Sequence, residues 1–105
     1  MLSNKKQKVY VATVTYDFHG VAVYSDVLCV SELPKKAFEA IEANDYMKVI
    51  REETVPGKVF SVASRGKNIG IDNGHAVYSE TIYVNVSDCD CGCMVWYNVT
   101  EIELA

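Results

Sequence analysis

Between Val9 and Phe18 the chain alternates with a period of two, and this constrains the fold more than any other stretch. Tyr10, Ala12, Val14, Tyr16 and Phe18 fall on one side, Val9, Val11, Thr13 and Thr15 on the other, as in a half-buried strand. His19-Gly20 follows, then a second β-rich run from Val21 to Val30. Glycine reaches the positive φ that a tight hairpin loop demands at no steric cost. A two-residue loop at His19-Gly20 predicts Phe18 opposite Val21, Tyr16 opposite Val23, Ala12 opposite Val27 and Tyr10 opposite Cys29. Every apolar partner then collects on one face.

The period changes after Ser31. Pro34 suits a first helical turn, where its missing N–H has no partner to lose. Ala37, Phe38 and Ile41 form one stripe, with Lys35, Lys36, Glu39 and Glu42 largely outside it. The stripe slips at Asn44-Asp45, both good caps and turn formers. The pattern predicts a helix from about Pro34 to Ala43, a break, and a short second helix or turn to about Glu53. Val55-Pro56-Gly57 is punctuation, and a third strand is expected from Lys58 to Ser64. Arg65 to His75 holds Gly66, Gly70 and Gly74 among polar residues and reads as a long loop, with a short extended piece at Ile69-Gly70-Ile71. Val77–Val86 and Met94–Leu104 alternate as strands, joined by Ser87-Asp88-Cys89-Asp90-Cys91-Gly92-Cys93. The fold class expected is α+β: a mainly antiparallel sheet of about five strands in the order β-β-α-β-β-β, with one helix, broken near Asn44-Asp45, packed on one face.

A chain of 105 residues with 50% hydrophobic residues has enough apolar surface for one ordinary core. Residues 1–8 are expected to form a flexible tail and 9–105 a single domain. The net charge of −4, with Lys5, Lys6 and Lys8 as the only basic cluster, argues against a nucleic-acid partner. No apolar run precedes the first strand and no segment approaches a bilayer's thickness, so the expectation is a cytoplasmic protein with no membrane partner and reduced cysteines.

Cys89, Cys91 and Cys93 are the one conspicuous chemical cluster. Thiolates at alternate positions of a turn can hold zinc or another thiophilic metal, and Cys91-Gly92-Cys93 could form a strained disulfide. Structural zinc sites use two-residue spacings and a second ligand pair, whereas the spacing here is one residue and the remaining cysteine, Cys29, belongs to the first hairpin. A tight polar loop with Cys93 as a small apolar residue fits as well. Asp72 and His75 are raw material for general acid–base catalysis, since a carboxylate can fix the histidine tautomer, yet neighbours in sequence seldom face each other. No phosphate-binding loop is present around Gly57-Lys58 or Gly66-Lys67. Tyrosine is frequent, 7 against 3 Phe and 1 Trp. Tyr78, Tyr83, Trp96 and Tyr97 would suit a protein interface if exposed. By elimination the leading expectation is a non-enzymatic protein-binding module: a homo-oligomer, an adaptor, or an inhibitor of the kind found among phage and mobile-element accessory proteins. A metal-binding or thiol-redox protein using the Cys89–Cys93 loop comes second, and a small enzyme built around Asp72 and His75 third.

Overall fold

The computed structural model describes residues 7–18, 22–53, 57–72, 75–87 and 92–104. The elements run β1 (Gln7–Phe18), β2 (Ala22–Ser31), α1 (Pro34–Ala43), α2 (Tyr46–Glu53), β3 (Phe60–Asp72), β4 (His75–Val86) and β5 (Gly92–Leu104). The strands form one five-stranded sheet in the order β2-β1-β5-β4-β3, and every neighbouring pair is antiparallel. The last strand thus takes the middle of the sheet, pairing with β1 from Gln7↔Leu104 to Phe18↔Cys93. β2 and β3 become opposite edges. The chain between them must cross the sheet, and α1 and α2 are that crossing.

The helices lie on one face: α1 packs against β1, β2 and β5, and α2 contributes Ile50 to the same core. Beneath them Ala12, Val14, Tyr16, Ile82, Val84, Val95 and Tyr97 are buried together with Ala37, Ile41 and Ile50 from the helices. Burying side chains of this size contributes on the order of 1.5–3 kcal/mol each. Alternation in β1, β4 and β5 places these residues as the sequence pattern requires. Two helices stand where one broken helix was expected, because each side of the break is tied down separately. The Asn44 backbone N–H donates to the Ile41 carbonyl to close α1, and Asp45 Oδ1 accepts from the Lys48 N–H to open α2.

Two expectations need correction. The first hairpin pairs Phe18 with Ala22 and Tyr16 with Tyr24, one residue out of the predicted register, and a bulge then brings Cys29 opposite Ala12 and Ser31 opposite Tyr10. His19-Gly20 itself lies outside the described residues. A slip of one residue turns every side chain to the other face. Tyr24 therefore packs into the core beside Tyr16, ring centroids 5.1 Å apart, and Val23 and Val27 are left exposed. The bulge at Leu28 restores the phase, so that both Leu28 and Cys29 reach the core. The physical reason is aromatic: Tyr24 buries more area than Val23 and stacks on Tyr16 and Phe18.

The second correction concerns the Arg65–His75 segment. It is no loop: β3 continues to Asp72, paired in unbroken register with β4 from Ser64↔Tyr83 to Asp72↔His75. Residues 61–70 are exposed throughout. An edge strand that lies beyond the helices buries neither face, so it shows no apolar alternation and tolerates Gly66 and Gly70.

Candidate functional site

The sheet face opposite the helices carries nothing over it among the described residues. Trp96 sits on the middle strand, between Thr15 and Thr81. The next row holds Val23, Asp17, Met94, Tyr83 and Ser64 side by side across all five strands. Thr13, Ser25, Ser79 and Asn98 intersperse polar groups, and Val27, Val30 and Ile102 extend the apolar area. A shallow hollow of about 240 Å³ opens beside Asp17, Tyr83, Asn85 and Met94, floored by Gly92, where a Cβ would meet the Val84 carbonyl oxygen at 3.0 Å.

A second, polar cleft of about 230 Å³ lies on the other face, between the helix break and β3. Its floor is Glu80, only 2% exposed. Arg65 Nε donates to Glu80 Oε2 at 2.6 Å, and the Tyr78 hydroxyl reaches Oε1 at 3.4 Å. Lys67 Nζ sits 5.3 Å from the Tyr78 ring centroid, a cation–π placement. Burial raises the Tyr78 phenol above its ordinary value, with Lys67 pulling the other way. On the far wall Asn44 Oδ1 accepts from both Tyr97, at 2.7 Å, and Tyr16, at 3.2 Å. One residue at the helix break thus anchors both helices to the two central strands. Burial pushes the Tyr16 phenol up to about 12 and raises Tyr97 further, so both remain donors at neutral pH.

The sequence candidates separate by parity. Tyr83 and Trp96 lie on the uncovered face, at diagonal positions on adjacent strands. Tyr78 and Tyr97 are buried on the covered face and line the polar cleft instead. Cys93 faces the core between Phe18 and Val84, and burial pushes its thiol up to about 11. A thiol in that state is protonated at neutral pH. Cys89 and Cys91 lie outside the described residues. His75 opens β4 and Asp72 ends β3; the Asp72 side chain lies outside the described set. His75 Nδ1 is instead 2.7 Å from Glu101 Oε1, an oxygen shared with Lys8 Nζ at 3.2 Å. Glu101 Oε2 is buried with no partner among the described residues. Hydrogen bonding to His75, and then to Lys8, holds the Glu101 carboxyl below its usual value. Neither cleft includes His75.

Sequence reasoning passed over Asn44, Glu80 and Glu101 as site members. Glu80 had a visible signal, a carboxylate in the apolar phase of a strand otherwise occupied by Tyr78, Ile82 and Val84. Glu101 and His75 are 26 positions apart, and nothing local joins them. Compared with family models, with curated proteins and with solved structures, the chain finds no match. No helix among the described residues is long and apolar enough to cross a membrane.

Proposed function

We propose that this is a non-enzymatic protein-binding module that docks on another protein through its sheet. One observation carries the reading: a five-stranded sheet with helices on a single face leaves Trp96, Tyr83, Met94 and Val23 clustered on the other. Antiparallel sheets can present one face to water, but such a face is then chiefly polar. A half-buried Trp at its centre, with an exposed Tyr and apolar neighbours, has the make-up of an interface hot spot.

The test compares partner capture by the wild-type chain with capture by a Trp96→Thr/Tyr83→Thr double variant, both checked for unchanged thermal unfolding. Threonine preserves strand propensity while removing the rings. A protein retained by the wild type and lost by the variant is the expected result. Identical sets of captured proteins from the two chains would end the reading, and a dimer that only the wild type forms in sedimentation would make the partner a second copy.

A further inference from the structure

We propose that the β3 edge takes up an extended acidic segment of a partner protein, which adds as a sixth strand and seats a carboxylate side chain in the cleft formed by Asn44, Tyr46, Arg65 and Lys67. This rests on the reading of the chain as a docking module, and concerns a different surface from the face around Trp96. β3 is an outer strand of the sheet. Among the described residues no strand pairs with the backbone N–H and C=O groups that point away from β4, and such an edge is a template for strand addition. From Ser64 to Asp72 the register with β4 is unbroken, a length that exceeds a typical strand of about 5–6 residues. Both edge strands carry a bulge, at Ala63 in β3 and at Leu28 in β2, but the opposite edge differs in charge, since β2 carries Asp26 where β3 carries Arg65 and Lys67.

The chemistry of the occupant follows from charge and size. Arg65 and Lys67 stand at alternate positions of β3, so both side chains fall on the helix side of the sheet. Each is steadied from below, Arg65 by its Nε bond to buried Glu80 and Lys67 by the Tyr78 ring. Arg65 spends Nε on Glu80 and is half exposed, leaving the outer end of its guanidinium fork toward solvent. Among the described residues Lys67 has no carboxylate within ion-pair distance. Glu42 lines the rim from α1, and Glu80 is already engaged by Arg65. Asn44 and Tyr46 line the opposite wall and add further polar groups to the cleft. Its volume of about 230 Å³ is below the roughly 300 Å³ at which small-molecule sites begin, and suits one inserted side chain. An extended strand lying along β3 presents alternate side chains to that face, which matches the spacing of Arg65 and Lys67.

The probe is an end-blocked, dye-labelled octapeptide alternating Thr and Glu, measured by fluorescence anisotropy and by backbone NMR shifts against the full chain. Controls alternate Thr with Gln or with Lys, and a fourth peptide is N-methylated at alternate amides to block strand pairing. The Glu peptide is expected to bind at least about tenfold more tightly than the Gln peptide, with an affinity that falls as salt rises. Neither the Lys peptide nor the N-methylated peptide should bind. Shift changes should centre on residues 61–72. Lys67→Gln, which removes the charge without placing a second carboxylate opposite Glu80, should weaken the Glu peptide by about tenfold or more. Equal affinity for Glu and Gln peptides, no binding of either, or shift changes centred on β2 or around Trp96 would overturn the proposal. Loss of partner capture in the Trp96→Thr/Tyr83→Thr variant with no peptide bound at β3 would leave the docking reading standing and remove this one alone.

Discussion

The two faces of the sheet are built from the same strands, one residue out of phase, and have opposite character. Ile82 and Tyr83 are neighbours on β4, yet Ile82 is 0% exposed under the helices and Tyr83 is 49% exposed on the open side. The covered face pays for burying polarity with paired partners: Glu80 with Arg65, Asn44 with two tyrosine hydroxyls. The open face keeps large apolar side chains with no cover among the described residues. The apolar residues of the covered face are buried under the helices, whereas Trp96 at the centre of the open face is not among the buried residues.

The largest effect expected from this contrast is in the core. Ile82→Ala should cost about 2–5 kcal/mol in denaturant unfolding, against about 1 kcal/mol or less for Tyr83→Thr next to it. Comparable losses at the two positions would mean that the open face is covered in solution, by a second copy or another part of the chain. Next comes the buried carboxylate. Arg65→Gln strips Glu80 of its cation and should cost about 1–3 kcal/mol, while Arg65→Gln/Glu80→Gln should recover part of that loss. A double variant as unstable as the sum of its parts would show that the pair is not coupled.

Smaller effects should appear in the pH dependence of the covered side. Burial raises Cys93 from 9.0 to about 11 and Tyr16 from 10.0 to about 12. Both groups are neutral when protonated and prefer that form when folded, so their contribution is complete below the unfolded pKa and lost as pH climbs to the folded one. Stability should therefore hold up to about pH 9 and decline toward pH 12, tracked by tyrosinate absorbance and circular dichroism together. Ionisation of Tyr16 without loss of structure would contradict its burial. The smallest effect lies at the far end of the sheet. Glu101 is held below 4.5 chiefly by His75, so its contribution is present above that pH and fades as pH falls through the folded value. Glu101→Gln should flatten the acid limb of the stability profile and leave the alkaline limb unchanged.

Much of the fold was legible along the chain. Strand phases in β1, β4 and β5, the helix from Pro34, and the caps at Asn44-Asp45 all follow from local period and local hydrogen bonding. β3 was legible only as far as Ser64, because from Arg65 onward an edge strand exposed on both sides has no apolar rhythm to read. The hairpin register was not legible either, since Val23 and Tyr24 are both good strand residues and only packing against Tyr16 and Phe18 chooses between them. Of the interface candidates, the residue types were found and their separation into Tyr83 and Trp96 against Tyr78 and Tyr97 was not. That division depends on which face the helices cover.

By itself, then, the sequence determined where β1, β4 and β5 alternate and where the chain turns helical, since these depend on neighbours two to four positions away. Tertiary structure decided that β5 enters the middle of the sheet, that β2 and β3 become its edges, and that Asn44, Glu80 and Glu101 find their partners. The side-chain partners lie 15 to 53 positions apart and β1 and β5 farther still, and only the burial and hydrogen bonding of the assembled sheet can select among them.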